Sequence, residues 1–386
     1  MKNVVIRAPL LSRSGYGVHS RQVFHYLLQK PNINVRTQIV PWGITPWYTN
    51  PKECDGLIGE AIKRSASTEE VHDVSLQVIL PNEWDNSAAK FNVGITAGVE
   101  TNTCNPKWCT DDCNKMDLVI VPSKHTKNSF INTAPFHTRM EVVPEAYFHE
   151  LCEEPKDLEL NLQSSFNFLT VGVLTGMTPE TDRKNLFYLI KWFVEAFKGD
   201  EEVGLVIKTN RGRETTIDKK LTNQVLESLL RELGHSGSPK VYLLHGDMSR
   251  SEMNSLYKSK EIKALVSATR GEGFGLPLLE ASVAGLPVIA TNWSAHTEFL
   301  NKGKWIKVKH DLRPINAERV DNTIFMDSSW WAYAREDSMK ESLIKFRRKP
   351  EIPMQWAEDL SKKLSEEYSL SEITKKYDKV LGDILG

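Results

Sequence analysis

Short apolar runs closed by glycine, proline or polar turns recur along the chain, alternating with stretches whose apolar positions fall three or four residues apart. Val4-Val5-Ile6 reads as a buried strand that passes through Ser12-Arg13-Ser14-Gly15-Tyr16-Gly17 into a helix carrying Val23, Tyr26, Leu27 and Leu28. Strands are expected over 74–80 and 117–121; the second stops at Pro122, and Ser123 stands where it can cap a helix containing Phe130. From 142 to 165 the periodicity fades into a polar, acidic stretch, Glu150-Leu151-Cys152-Glu153-Glu154-Pro155-Lys156-Asp157, which reads as an interdomain linker. Beyond it the alternation restarts, with strands expected at 166–173, 203–207, 241–244, 264–267 and 288–291. Helices between them are expected around Leu186 to Phe197 and over 221–233, 251–257 and 277–284. Parallel strands need crossover helices of this length, so the pattern predicts an α/β protein of two Rossmann-like, doubly wound domains facing a central cleft. Ligands of such sheets sit at the carboxyl ends of the strands. From Trp356 the chain is charged and helical in pattern, with Ile373, Tyr377, Val380, Leu381 and Ile384 on one face, and no fixed-period repeat occurs.

The length of 386 residues agrees with two domains. Lys and Arg total 49 against 50 Asp and Glu, a net charge of -1, so no excess positive field exists to collect a nucleic-acid backbone. The first nine residues hold only three consecutive apolar positions before an arginine and a proline, too few for a signal-peptide core. No run of about 18 apolar residues occurs, so any membrane contact is expected to be peripheral and the chain is expected in the cytoplasm, with reduced thiols. Among the five cysteines, Cys104, Cys109 and Cys113 lie near Asp111 and Asp112. Their spacing supplies three sulfurs without a fourth ligand, which favours free thiols over a zinc site.

The window Arg270-Gly271-Glu272-Gly273-Phe274-Gly275-Leu276-Pro277-Leu278-Leu279-Glu280-Ala281 carries the strongest chemistry. Its glycines allow backbone N–H groups to approach a ligand, and Pro277 suits the first position of a helix, where its missing donor costs nothing. A glycine loop that opens a helix favours an anion such as phosphate, through unpaired N–H groups and the helix dipole. Glu280, in the first turn, reaches the same pocket, and a carboxylate's acceptors suit a pair of ribose hydroxyls. Glu272, on the loop, can serve the hydroxyls of a second polar group.

Glu272 and Glu280, with seven residues between them that include Gly-Phe-Gly-Leu-Pro, followed by Gly285-Leu286-Pro287-Val288-Ile289-Ala290-Thr291, resemble a retaining glycosyltransferase of the GT-B fold, family four (glycosyl transferases group 1). The resemblance is close over about 165 to 300 and looser before it. It implies that Glu280 binds the nucleotide ribose, Glu272 the transferred sugar, and the Gly273, Phe274, Gly275 and Leu276 backbone the sugar and diphosphate. It further implies an N-terminal acceptor-binding domain over 1–160, a C-terminal donor-binding domain over 165–360, and a terminal helix, 365–386, that packs back on the first. The family pattern places an arginine just after Leu169-Thr170-Val171-Gly172 and a lysine a few residues on, both on the donor diphosphate. Here Val173 holds the arginine place and the loop is longer, ending at Arg183-Lys184-Asn185. Lys184 corresponds to the family lysine, and Arg183 and Lys208 are the candidate substitutes for the arginine. Cations are needed because charge accumulates on the leaving diphosphate, and one opposite charge at 4 Å contributes on the order of 4 kcal/mol at an effective dielectric of about 20.

By the same resemblance His245-Gly246-Asp247-Met248-Ser249 seats the nucleobase, with Met248 among the donor contacts and Ser249 or Ser251 as an alternative helix cap. In the first domain, Gly15, Tyr16 and Gly17 correspond to the family's glycine loop beside the acceptor, and His19 and Glu100 are candidates for acceptor contacts. Trp42, Trp47, Trp84 and Trp108 are candidates for stacking on sugar faces or for the core. The implied partners are a nucleoside-diphosphate sugar and a glycan, lipid-linked or small-molecule acceptor, with no cofactor and no metal ion. A nicotinamide enzyme would need an acidic residue about 20 positions after its glycine loop. After Gly17 that region holds Arg36 and Thr37. A sugar phosphorylase, a nucleotide-sugar epimerase or a non-catalytic nucleotide-sugar binder remain alternatives within the fold.

Overall fold

Apolar runs with no polar face must be covered on both sides, and two parallel sheets meet that demand in the computed structural model, which describes residues 1–65, 71–176 and 178–386. The chain divides into two units: Met1–Ala146 with Asp321–Ser329 and Leu370–Gly386, and Tyr147–Val320 with Trp330–Ser369.

The first unit holds strands Lys2–Ala8 (β1), Ile33–Ile39 (β2), Val74–Val78 (β3), Phe91–Ile95 (β4), Leu118–Val121 (β5) and Met140–Val142 (β6). They pair in the order β2-β1-β3-β4-β5-β6, every pair parallel. The edge strand β2 has no apolar run to betray it: Ile33, Val35 and Thr37 point inward and alternate with the more exposed Asn34, Arg36 and Gln38. Ser14 caps the helix Gly15–Leu28 by accepting from the Gly17 N–H, and Ser123 caps Lys124–Ile131 by accepting from Thr126 N–H. The C-terminal pattern resolves into two helices, Glu351–Glu367 and Leu370–Leu385, which belong to different units. In the latter, Ile373, Tyr377, Leu381 and Leu385 recur every four residues and are buried. Tyr377 stacks on Tyr26 at 5.4 Å, and Lys30 pairs with Asp378.

The second unit contains Phe166–Val171 (β7), Val203–Thr209 (β8), Lys240–His245 (β9), Ile262–Ser267 (β10), Val288–Thr291 (β11) and Ile306–Val308 (β12). They form a parallel sheet in the order β12-β11-β10-β7-β8-β9, so the chain winds one way from β7 and the other way from β10. An antiparallel hairpin, His310–Pro314 (β13) and Trp330–Ala334 (β14), completes this unit's strands. Phe166, Phe168, Phe193, Phe197 and Phe346 form its aromatic core, with ring centroids 5.1 to 5.8 Å apart. The stretch after Tyr147, expected as a linker, is tied to the helix Arg250–Tyr257 of its own unit. Lys258 donates to the Leu151 and Glu153 carbonyls at 2.8 and 2.7 Å, and Asn254 to Glu153 at 3.2 Å. These polar residues therefore carry a packing role that their composition conceals.

Candidate functional site

The reversal of winding between β7 and β10 opens a crevice at their carboxyl ends, the place where such sheets bind ligands. The loop after β10 leads into the helix Leu276–Val283, whose first residue is Leu276, so Pro277 stands second rather than first. Gly275 precedes it with φ +99°, and a Cβ there would lie 3.1 Å from the His296 Cβ, so both conformation and space require glycine. The loop is anchored by a relay of hydrogen bonds. Glu272 N–H donates to Ser294 Oγ at 2.9 Å, and His296 Nε2 lies 2.7 Å from the Thr291 carbonyl. A carbonyl only accepts, so Nε2 carries the proton; burial lowers the His296 pKa, leaving Nδ1 to accept from Ser294 at 3.3 Å. The Glu272 carbonyl in turn accepts from Ala295 N–H.

Across the crevice, the loop after β7 brings Lys184 and Arg183 onto the Glu272 carboxylate. Lys184 Nζ lies 2.7 and 2.9 Å from its two oxygens, and Arg183 Nη1 lies 3.4 Å from Oε2 and donates to the Gly271 carbonyl at 2.7 Å. Burial alone would raise the Glu272 pKa, but the two cations hold it down at about 2. Asp182 shapes this loop: its carboxylate accepts from Thr175 N–H and hydroxyl, from Lys184 N–H and, at 2.7 Å, from Leu186 N–H at the start of the helix Leu186–Ala196. The Lys184 stem runs past Gly172, where a Cβ would meet its methylenes at 3.5 Å. Val173 is 47% exposed.

Arg270 ties the two loops together. Its N–H donates to the Arg183 carbonyl at 2.8 Å, and its guanidinium donates to the carbonyls of Pro179 and Glu180 and to Asn185 Oδ1. Its own carbonyl accepts from Ala332 N–H on β14. The sequence assigns no role to Arg270, Ser294 or His296, because Arg270 and Ser294 meet partners distant along the chain and His296 acts through Ser294.

Glu280 is half-buried and accepts a hydrogen bond from the Tyr257 hydroxyl at 3.1 Å. Burial pushes its carboxyl up to about 7. Lys208, buried at the end of β8, donates to Gly246 O at 2.6 Å and to Asn210 Oδ1 at 3.0 Å, and burial lowers its pKa. These bonds tie Lys208 to the loop after β9. Met248 is half-buried on that loop, and Ser249, not Ser251, caps the next helix in a reciprocal box with Glu252. Phe274 is turned into the core against Phe299 and Tyr368, so of this residue only the backbone is placed for a ligand.

In the first unit the expected glycine loop is the first turn of a helix. Gly17 is fixed by packing, since a Cβ would lie 2.0 Å from the Ser12 carbonyl oxygen, whereas Gly15 faces open space. Tyr16 stacks on Trp42 at 3.9 Å, and its hydroxyl meets Thr96 Oγ1 and accepts from Ala97 N–H. His19 departs from its expected role as an acceptor contact: it is buried, shares a 3.0 Å hydrogen bond with Tyr377, and burial lowers its pKa to about 4. Glu100 is half-buried and charge-coupled to Tyr16. Trp84 and Trp108 are core residues, while Trp47 is 41% exposed. Cys104 and Cys109 are buried with sulfurs 3.7 Å apart. Among the described residues no group of three or more His, Cys, Asp or Glu is arranged to hold a metal ion, and no helix is long and apolar enough to cross a membrane.

Residues 180–313 match the family model described as Glycosyl transferases group 1. A sucrose synthase from Melioribacter roseus is 27% identical over 178 residues, 42% of this chain and 21% of that protein, so the match spans about a fifth of this curated relative. Among solved structures, sucrose-phosphate synthase from Thermosynechococcus elongatus aligns with TM-score 0.66 at 12% identity over 100% of this chain and 99% of its own. HepE from Anabaena, in complex with UDP and glucose, aligns with TM-score 0.59 at 11% identity over 99% of this chain and 100% of its own. At these identities the likeness establishes the fold alone.

Proposed function

We propose, from the match of residues 180–313 to the glycosyl transferases group 1 model and from the GT-B fold, that the chain moves a sugar from a nucleoside-diphosphate sugar to an acceptor hydroxyl with retention of anomeric configuration. One observation carries the reading: Lys184 and Arg183 converge on the Glu272 carboxylate at the point where the sheet reverses its winding. In this reading Lys184 and Arg183 turn to the donor diphosphate and stabilise the charge that develops on it as the glycosidic bond breaks. Glu272 holds hydroxyls of the transferred sugar, Glu280 the ribose hydroxyls, and the backbone from Gly273 to Leu276 the sugar and diphosphate. Lys208 and Met248 border the nucleobase end. Tyr16 and Glu100 remain the first unit's candidates for the acceptor, and His19 is withdrawn from that role.

The acceptor oxygen attacks the face from which the diphosphate leaves, and a diphosphate oxygen takes its proton, so no protein nucleophile is required. The protein's contribution is then position and field. Two cations beside the leaving group supply the charge that makes a metal ion unnecessary in this scheme. The UDP and glucose held by HepE make a uridine donor the first to try.

A thermal-shift screen of UDP-, GDP- and ADP-sugars tests the reading, because a ligand of the native state raises its apparent stability by RT ln(1 + [L]/Kd). At least one donor should raise Tm in the wild type and fail to do so in Lys184→Met. A screen in which none does, or in which the variant responds equally, removes the proposal.

A further inference from the structure

On the second unit a cavity of about 750 Å³ opens between the start of the helix Leu186–Ala196, the β13–β14 hairpin and the helix Glu336–Arg348. Neither Glu272, Lys184 nor Glu280 lines it. We propose that this cavity is a second ligand site, for a neutral oligosaccharide, which borders the donor loops through Glu180, Asn185 and Arg270.

Its size falls within the range of roughly 300–1,000 Å³ that small-molecule sites occupy. Its walls combine aromatic faces with paired charges. Tyr188 and Trp192 stack with centroids 5.6 Å apart, and the Tyr333 ring lies 4.5 Å from the Arg270 guanidinium. Trp192 is buried behind Tyr188 and Arg270 covers a Tyr333 face, so the half-buried Tyr188 and Tyr333 supply the apolar surface left for the C–H face of a pyranose while its hydroxyls reach outward.

The charges around them cancel. Asp311 holds Arg313 at 3.0 Å, Asp337 holds Arg335 at 3.1 Å, and Glu336 holds Lys340 at 2.6 Å. Glu180 and Arg270 complete the lining as one more charge of each sign. With no net charge in its lining, the cavity has no overall attraction for a phosphorylated or a cationic ligand. A carboxylate that already accepts from a guanidinium still has lone pairs for hydroxyls, so each rim pair remains a hydroxyl-binding fork. Arg270 adds a second observation: it is 1% exposed, and its Nε–H is buried with no hydrogen-bond partner among the described residues. That unmet donor belongs to a residue of the cavity wall, and a small shift of the guanidinium on ligand binding would give it a partner.

The site is independent of donor chemistry, so it is tested by binding. Calorimetry on the full chain would use maltotetraose, cellotetraose and an α-mannotetraose as neutral probes and a hyaluronan tetrasaccharide as the anionic contrast. At least one neutral probe should bind with Kd below about 1 mM and more tightly than the anionic one. Tyr333→Ala or Asp311→Ala should weaken it about tenfold or more, while Glu280→Gln leaves it unchanged. If circular dichroism shows that Tyr333→Ala does not fold, Asp311→Ala decides alone. The inference is overturned if no neutral probe binds up to about 10 mM, if the anionic probe binds best, if every folded cavity variant binds as the wild type does, or if Glu280→Gln abolishes binding.

Discussion

Replacing Glu272 by glutamine keeps the shape of the side chain and removes the charge on which two cations rest. At an effective dielectric of about 20, cations at 2.7 and 3.4 Å would attract the carboxylate by roughly 6 and 5 kcal/mol. Burial of Glu272 offsets much of that, and what remains is the fall of its pKa from 4.5 to about 2. At 1.36 kcal/mol per unit this is on the order of 3 kcal/mol. A carboxyl whose pKa is lowered on folding stabilises the protein above its unfolded value and loses that contribution as pH falls through the folded one. The variant should therefore lose about 3 kcal/mol at pH 7, with a deficit that stays flat down to about pH 5 and shrinks below about 4.5. Urea titrations of both proteins, followed by the fluorescence of the 10 tryptophans, would measure it. A deficit under about 0.5 kcal/mol at pH 7, or one already shrinking between pH 7 and 5, would refute the account of Glu272 as the seat of the cation pair.

Lys184→Met should lower kcat by about 10²–10³ if its ammonium meets the leaving diphosphate, and an unchanged kcat in steady-state transfer assays would assign it to the ion pair alone. Glu280 has the opposite linkage from Glu272. Its pKa rises from 4.5 to about 7 on folding, so its contribution is complete below about pH 4.5 and lost as pH climbs through 7. Stability of the wild type relative to Glu280→Gln should thus decline from pH 5 to 8, and a parallel pair of pH–stability curves would contradict the burial. Gly275→Ala should destabilise by about 1–2 kcal/mol through the left-handed backbone alone, with a further loss from its 3.1 Å approach to His296; a neutral change in Tm would show that the loop relaxes freely.

The buried strands were legible because their apolar runs permit little else, and the β7 and β10 turns were legible because Gly172, Gly275 and Pro277 punctuate them. The half-polar β2 was not, since alternation over seven residues on an edge leaves only Ile33, Val35 and Thr37 inside. Glu272, Glu280 and Lys184 could be named from the order of residues, but what surrounds them could not. Tyr257, Ser294 and His296 reach the site from other elements, Arg270 in the loop itself turns to carbonyls some 90 positions back, and no local pattern marks a residue whose partner lies tens of positions away. His19 shows the converse error: its neighbourhood in the chain suggested a ligand contact, and Tyr377, 358 positions on, claims the ring instead.

The buried guanidinium of Arg270 makes the loop that bears the cations and the loop that bears the acid parts of one strut. A chimera that imports residues 173–185 from another protein keeps Arg270, but the new loop must bring its carbonyls to the places of Pro179 and Glu180 to meet it. Under the proposed function, donor preference should therefore move between proteins only when 173–185 and 268–276 are exchanged together, and grafts of one loop alone should be inactive.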